Sequence, residues 1–184
     1  CPKDEMIKLS YEFLTSKDWL GLDPRMLSVT VFEGDENAPR DEESAGYWKE
    51  NGMPEDKIAY MPKSDNWWAA GPTGPCGPDT EIFYWVGEGL PPVGSNKGTD
   101  SANWMEIWNN VFMEFYKDKN GYSKLSQQNV DTGLGLERTA MLLLEKETPF
   151  EIGLFAPVME ELEKLQNVDS IQSRRIITEH LRSS

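Results

Sequence analysis

Asp131 and Arg138 are the two residues whose types and spacing best suit chemistry, and both lie in the stretch VDTGLGLERTA. An aspartate carboxylate can accept hydrogen bonds from an ammonium group, whereas arginine presents a planar, permanently charged fork that matches the oxygens of a phosphate. A cation site and an anion site a few residues apart suit a substrate pair made of an amino acid and a nucleotide.

Gly133 and Gly135 lie between these two residues, and the sequence leaves two interpretations of them open. A Walker loop ends in Gly-Lys-Ser/Thr, and a dinucleotide loop needs three glycines in Gly-x-Gly-x-x-Gly, so neither pattern is present. The spacing alone favours a structural bend, in which a strand feeds a helix that carries Arg138, over a loop that cradles phosphate.

Strands are predicted where apolar and polar residues alternate or where β-branched residues concentrate. The segments with this pattern are 26–32, 81–86 and 104–117. Because its two faces are both partly apolar, 104–117 is expected to be a central strand. Asn120-Gly121 favours a hairpin turn, after which the chain returns antiparallel through 122–130.

Helices are predicted where apolar residues recur with a period near that of an α-helix. The segments with this pattern are 3–19, 43–51, 136 onward, 150–165 and 171 onward. Their buried faces are expected to include Leu9, Leu143, Leu144 and Leu165. The Pro- and Gly-rich segment 64–81 is predicted to lack regular structure. Together the elements indicate an α+β fold.

Composition excludes several classes of protein. The net charge of −14 argues against an extensive nucleic-acid surface on these 184 residues, because phosphate contacts need clustered Lys and Arg. Two cysteines and His180 are too few for a disulfide framework or a zinc site, and Cys76 is expected to be a small buried side chain. Without a run of roughly 20 apolar residues or a leader pattern, the protein is expected to be soluble and cytoplasmic.

Three segments resemble the alanyl-tRNA synthetase family of class II aminoacyl-tRNA synthetases. VDTGLGLERTAMLL resembles its motif 3, Val-Asp-Thr-Gly-x-Gly-x-Glu-Arg. DNWWAAGPTGPCGPDTEI is similar to its Asn-Phe-Trp-x-Met-Gly-x-Thr-Gly-Pro-Cys-Gly-Pro-Cys-Ser/Thr-Glu-Ile stretch, and MEIWNNVFMEF to its Glu-Ile-Trp-Asn-x-Val-Phe-Met-Gln-Phe strand. The resemblance covers essentially the whole chain. Trp67, Ala70 and Asp79 stand where the family has Phe, Met and its second Cys.

The resemblance implies a class II antiparallel β-sheet flanked by helices within residues 1–148. Residues 149–184 would begin a helical tRNA-recognition region. The family carries motif 1 and the motif 2 arginine before the part that this chain matches, so the sheet is expected to be incomplete on its N-terminal side. The segment alone is therefore expected to be inactive.

The activity that the resemblance implies is the ATP-dependent activation of alanine to alanyl-adenylate, followed by transfer to the acceptor stem of tRNA(Ala). The expected ligands are ATP, Mg²⁺, L-alanine and tRNA. The alternative is a paralogue of the synthetases that acts as a non-catalytic module or that aminoacylates another carrier. The intact Asp131, Gly133 and Arg138 favour the ligase over this alternative.

The resemblance also implies roles for individual residues. Asp131 would hold the alanine ammonium group, with Trp68 and Val111 as walls of a small pocket and Gly133 giving room for close approach. Asn109 is a candidate polar contact to the substrate, and its structural alternative is a hydrogen-bonded core amide.

The nucleotide and the metal would be bound by a second set of residues. Arg138 would bind the γ-phosphate side of ATP, with Gly135 beside it. Glu106 is a candidate Mg²⁺ ligand, although alternation along the strand places it on the face opposite Asn109, and a surface glutamate is its structural alternative. The arginines of the last helix could contact the acceptor stem or form a solvated face; they are Arg174, Arg175 and Arg182.

Overall fold

The structure, a computed structural model, describes residues 2–165 and 170–183. The helices are α1 (Lys3–Thr15), α2 (Glu42–Glu50), α3 (Leu136–Leu143), α4 (Ala156–Glu163) and α5 (Ile171–Arg182). The strands are β1 (Leu27–Phe32), β2 (Ile58–Met61), β3 (Trp67–Ala69), β4 (Gly74–Trp85), β5 (Trp104–Asp118) and β6 (Gly121–Leu134). The chain divides into two compact units, Cys1–Leu134 and Gly135–Ser184.

The first unit is built on a six-stranded sheet with the order β2-β1-β4-β5-β6, in which β3 pairs with β4. The predicted α+β class is confirmed, and β5 is an interior strand between β4 and β6. The sheet is mostly antiparallel, but β1 and β2 are parallel. The expected antiparallel sheet is therefore present apart from this pair, between whose strands α2 lies in sequence as the crossover that a parallel pair requires.

The central part of the sheet is held to α2 by buried hydrogen bonds. Every residue of β1 is buried, so both faces of this strand are covered. Trp48 of α2 is fully buried, and its indole Nε1 donates a hydrogen bond of 2.8 Å to Oγ1 of Thr80. Thr80 in turn donates to the backbone oxygen of Thr30 at 2.6 Å. A buried donor left without its acceptor destabilises a fold, so this chain of bonds fixes α2 on the sheet.

The buried face of α1 differs from the prediction. Leu9 is 50% exposed, whereas Ile7, Ser10 and Leu14 are buried. The Oγ of Ser10 accepts a hydrogen bond of 3.0 Å from Nδ2 of the fully buried Asn110. The buried face of α1 therefore includes a polar pair with β5 beside its apolar residues, which hydrophobic periodicity cannot reveal.

The prediction that 64–81 lacks regular structure is wrong, because β3 lies inside this segment and β4 begins at Gly74. A side chain at Gly77 would overlap the backbone carbonyl of Phe112 on β5, so glycine is required by the close approach of the two strands. The pairing of β4 with β5 is irregular after Cys76, where the register shifts. A strand can accept proline at such an irregularity.

The second unit contains α3, α4 and α5. The prediction that Leu143 and Leu144 are buried is wrong, since they are 46% and 55% exposed. Leu144 is the C-cap of α3, and the next residue, Glu145, has a φ of 52°, so the chain turns away from the helix at this point. The helix predicted over 150–165 is shorter, and its expected inward residue Leu165 is 54% exposed.

No helix within residues 2–165 and 170–183 is long and apolar enough to span a bilayer.

Candidate functional site

Four of the predicted site residues lie together on one face of the sheet. Residues directly opposite each other in antiparallel strands project from the same face. The strand register forms two neighbouring rows across β4, β5 and β6, namely Asp79–Val111–Asp131 and Glu81–Asn109–Gly133. We call the surface formed by these six residues the two-row face.

Sequence reasoning missed the β4 members of this face, Asp79 and Glu81. Asp79 lies in the segment that was predicted to lack regular structure, and Glu81 lies where that segment meets the strand predicted over 81–86. The signal that could have found them is the spacing of two carboxylates at i and i+2 in PDTEI, which places them on one side of a strand.

The position of Glu106 corrects the parity prediction. Glu106 pairs with Phe83, which projects from the same side of β4 as Glu81, the partner of Asn109. The register shift beside this pair leaves Ile107 as an extra residue in β5, and such a bulge reverses the alternation. Glu106 is therefore on the same face as Asn109, and its charge affects the pKa of Glu81.

Several carboxylates lie close together on the two-row face, some of them buried, so a bound cation would be favourable there. Burial, with a smaller contribution from Glu106, raises the pKa of Asp79 to about 6, although amide hydrogen bonds from Asn109 and Asn66 oppose this. Burial and then the charges of Asp79 and Glu106 raise the pKa of Glu81 to about 8. A bound cation would relieve this repulsion.

The raised pKa of Glu81 predicts how folding stability depends on pH. The pKa of Glu81 is about 8 in the folded state and 4.5 ordinarily, so folding favours its protonated form. The free energy of unfolding is therefore highest below pH 4.5 and falls as the pH rises through 8. We expect Glu81→Gln, which stays neutral, to increase the free energy of unfolding on the order of 2 kcal/mol at pH 9 and to change it little at pH 4.5.

Denaturant unfolding at both pH values measures this effect, and Glu88→Gln is the matched control because Glu88 is exposed. A variant that is no more stable than the wild type at pH 9 would show that Glu81 is not destabilised by its surroundings.

Asn109 and Asp131 are held in place by hydrogen bonds. Nδ2 of Asn109 donates to Oδ2 of Asp79 at 3.1 Å. Asp131 is exposed, and its Oδ1 accepts from the backbone N–H of Thr132 at 2.9 Å. The hydroxyl of Thr132 lies 3.1 Å from the backbone oxygen of Asn109 and 3.0 Å from Oδ1 of Asn110. These bonds position an exposed carboxylate beside a half-buried amide.

The paired tryptophans occupy different surroundings. Trp67 packs against the buried cluster that includes Phe32, Cys76 and Phe115, and the fully buried Cys76 confirms the prediction for this residue. Trp68 is the next residue of β3, half-buried and opposite Gly77 of β4. Since β3 pairs with β4 rather than β5, the register does not place Trp68 beside Val111, and its role as a pocket wall stays a prediction.

The two glycines of the motif have different structural positions. Gly133 lies inside β6 opposite Asn109, so it is not part of the bend that was predicted. Gly135 follows the strand as the N-cap of α3, and its backbone oxygen accepts from the N–H of Thr139 at 2.8 Å. The predicted sequence of strand, bend and helix is confirmed, with Gly135 alone at the bend.

Arg138 and the C-terminal arginines belong to the second unit. Arg138 is an exposed residue of the first turn of α3. Arg174 pairs with Glu163 at 3.0 Å and Arg182 with Glu137 at 2.8 Å, so these two link helices within the unit.

The site offers few protein ligands for a magnesium ion. No three His, Cys, Asp or Glu side chains of the described ranges come together as a metal site. Mg²⁺ bound with a nucleotide usually takes only one or two protein carboxylates, because phosphates and water supply the remaining oxygens. The carboxylate of Glu106, on a face rich in negative charge, fits this limited role.

Comparisons with known proteins place these motifs in context. The profile of tRNA synthetases class II (A) matches residues 2–184. The alanine–tRNA ligase of Treponema denticola is 45% identical over 192 residues, which cover 99% of this chain and 32% of that protein. The alanine–tRNA ligase of Treponema pallidum is 44% identical over 193 residues, covering 99% of this chain and 31% of that protein. The alanine–tRNA ligase of Rubrobacter xylanophilus is 40% identical over 196 residues, covering 98% of this chain and 22% of that protein.

Proposed function

Because this chain belongs to the family of class II tRNA synthetases (A), we propose that the protein is an alanine–tRNA ligase. The chain spans 32% of the length of its Treponema denticola relative. The observation that carries the proposal is the two-row face, where Asp131, Asn109 and Gly133 of the quoted motifs meet on adjacent strands.

The proposed first step joins alanine to ATP. A carboxylate oxygen of alanine attacks the α-phosphorus, a new P–O bond forms, and the bond to the departing pyrophosphate breaks. Alignment of the reactants and neutralisation of phosphate charge account for most of the catalysis in such a step. The alanyl group is then transferred to the terminal ribose of tRNA.

The two-row face supplies the features that the alanine side requires. Asp131 accepts hydrogen bonds from the ammonium group, and the carboxylate of Asp79 on the same face adds to the attraction for a cation. Val111, which is 7% exposed, limits the space for a larger side chain, with Trp68 as a second wall. Asn109 is the neighbouring polar contact.

ATP is assigned to the residues that follow the strand. Arg138 would bind the γ-phosphate side with its guanidinium fork, and Gly135 at the N-cap of α3 would let the nucleotide approach the backbone. Glu106 would be one ligand of Mg²⁺, which supplies charge neutralisation on the phosphates when bound.

The proposed function also implies a site for tRNA and a location in the cell. Residues 149–184 would begin the tRNA-recognition region, in which the α5 arginines approach the acceptor stem. This function places the protein in the cytoplasm, where charged tRNA is used.

A substitution at Gly133 tests whether the alanine substrate lies against β6. A side chain built at Gly133 meets no atom within 4 Å, so the fold itself does not require glycine there. We expect Gly133→Val to leave thermal stability unchanged but to raise the KM for alanine at least roughly 10-fold, because the substrate needs that space. Steady-state pyrophosphate exchange measures the KM.

Ser126→Val is the control for this substitution, since it places the same valine side chain at an exposed position elsewhere on β6. Equal KM values for the two variants would remove Gly133 from the alanine site.

Charging of tRNA tests the proposed function as a whole. The full-length protein should attach radiolabelled alanine to tRNA(Ala) when ATP is present. Alanine activation without charging of the tRNA would instead indicate a paralogue that serves another carrier, and the absence of both reactions would indicate a non-catalytic module.

A further inference from the structure

The amide of Asn109 has one end occupied and one end unpaired. Its Nδ2 donates to Oδ2 of Asp79, but its Oδ1 is buried and has no hydrogen-bond partner among the residues that the structure describes. Buried acceptors in native proteins are normally paired, so an unpaired one next to a substrate site points to a partner that a ligand supplies.

Asp79 is fixed from its other side. It is 4% exposed, and its Oδ1 accepts a hydrogen bond of 3.1 Å from Nδ2 of Asn66, a fully buried residue. Nδ2 of Asn66 also lies 2.9 Å from Oγ1 of Thr30 and 3.0 Å from the backbone oxygen of Asp79. The carboxylate is therefore held in one position by the fold rather than by the substrate.

The chemistry of Asp79 decides which way the amide of Asn109 turns. An ionised carboxylate can only accept hydrogen bonds, so each amide beside it must present its NH₂ group. The NH₂ end of Asn109 consequently faces Asp79, and its oxygen points away from it. A cysteine, which the family pattern has at this position, is a weak acceptor and could not hold two amides in this way.

We propose that Asp79 is a positioning residue that turns Asn109 so that its side-chain oxygen accepts a hydrogen bond from the ammonium group of the amino-acid substrate. The substrate would then be held by Asp131 on β6 and by Asn109 on β5, whose partner Gly133 leaves open space beside it. This inference rests on the proposed function, since it concerns the alanine side of the same site.

The experiment compares variants of the full-length protein in pyrophosphate exchange. Asp79→Leu removes both acceptors, which frees the amide to rotate, and should raise the KM for alanine roughly 10- to 100-fold with kcat and the KM for ATP within about 2-fold of wild type. Asp79→Ser, whose hydroxyl is too short to reach Asn109, should act in the same direction if the leucine variant does not fold.

The conservative variant separates orientation from charge. Asp79→Asn keeps one oxygen for Asn109 and turns an NH₂ group toward Asn66, so the side-chain bond to Asn66 is lost. Nδ2 of Asn66 keeps its bonds to Oγ1 of Thr30 and to the backbone oxygen of residue 79. The substitution should therefore lower stability without turning Asn109, and it should keep the KM for alanine within roughly 5-fold of wild type.

Thr80→Val is the structural control. Thr80 is the fully buried neighbour of Asp79, projects from the other face, and bonds to Trp48 and Thr30. Loss of the Thr80 hydroxyl should lower the melting temperature without changing the KM for alanine. Three results would overturn the inference. The first is an unchanged KM for alanine in Asp79→Leu or Asp79→Ser, and the second is a KM in Asp79→Asn as high as that in Asp79→Leu. The third is a change of KM in Thr80→Val equal to that in the Asp79 variants. Wild-type protein without any exchange would contradict the proposed function instead.

Discussion

Asp131→Ala should lower kcat/KM for alanine in pyrophosphate exchange roughly 30- to 1000-fold, the loss expected when one partner of a hydrogen-bonded charge pair is removed. The neighbouring carboxylates cannot replace it, because Asp79 is committed to two amides and burial keeps Glu81 largely protonated at neutral pH. Asp131 is itself exposed, so the substitution should change the free energy of unfolding by no more than about 0.5 kcal/mol.

Asp118→Ala is the matched control for this prediction. Asp118 is also exposed at the opposite end of the same hairpin, and its carboxylate likewise accepts a backbone N–H, that of Asn120 at 2.7 Å. Its removal should leave the exchange rate unchanged. If Asp131→Ala retained full activity, or if both variants lost it equally, the assignment of the ammonium site to Asp131 would be wrong.

Arg138→Lys should lower kcat for exchange roughly 100-fold or more while leaving the KM for alanine unchanged, as expected when a donor that stabilises charge in the transition state is lost. Lysine keeps the positive charge but presents a point charge instead of a planar fork, so it cannot grip two phosphate oxygens at once. Single-turnover measurements of adenylate formation would show the change in the chemical step directly.

Arg25→Lys is the corresponding control. Arg25 uses its guanidinium fork on the carboxylate of Asp23, with Nε at 3.1 Å and Nη2 at 2.6 Å, but its side chain is 70% exposed and belongs to no predicted site. It should retain full exchange activity. A slow Arg25→Lys enzyme, or a normal Arg138→Lys enzyme, would contradict the role of Arg138.

The fold was predictable where local pattern and tertiary structure agree. The alternation along β5, the Asn-Gly turn and the β-branched strand β1 all correspond to elements of the sheet. The prediction failed at β3 and the first half of β4, because Gly77 is required by a close approach to β5 and the proline beside it lies at a register shift, and no local window contains either feature. It also failed for Leu9 of α1, because the buried face of this helix includes the polar Ser10, bonded to Asn110, between Ile7 and Leu14.

The site residues that lie in recognisable sequence motifs were predictable. Asn109, Val111, Asp131 and Gly133 were expected from quoted segments, and the register places them in two rows. Asp79 and Glu81 could not be assigned, because their part in the site depends on pairing with β5. The face of Glu106 was mistaken since a bulge at Ile107 cannot be inferred from alternation alone.

The measurement that tests the central claim most directly is ATP–pyrophosphate exchange by the full-length protein with alanine, glycine and serine in turn. A pocket that selects by size separates neighbours differing by one methyl or hydroxyl group by only about 1–3 kcal/mol. The proposed site therefore predicts the fastest exchange with alanine, and slower but measurable exchange with glycine and serine. Exchange that is absent with all three, or that is faster with glycine or serine than with alanine, would contradict the assignment of the two-row face to alanine.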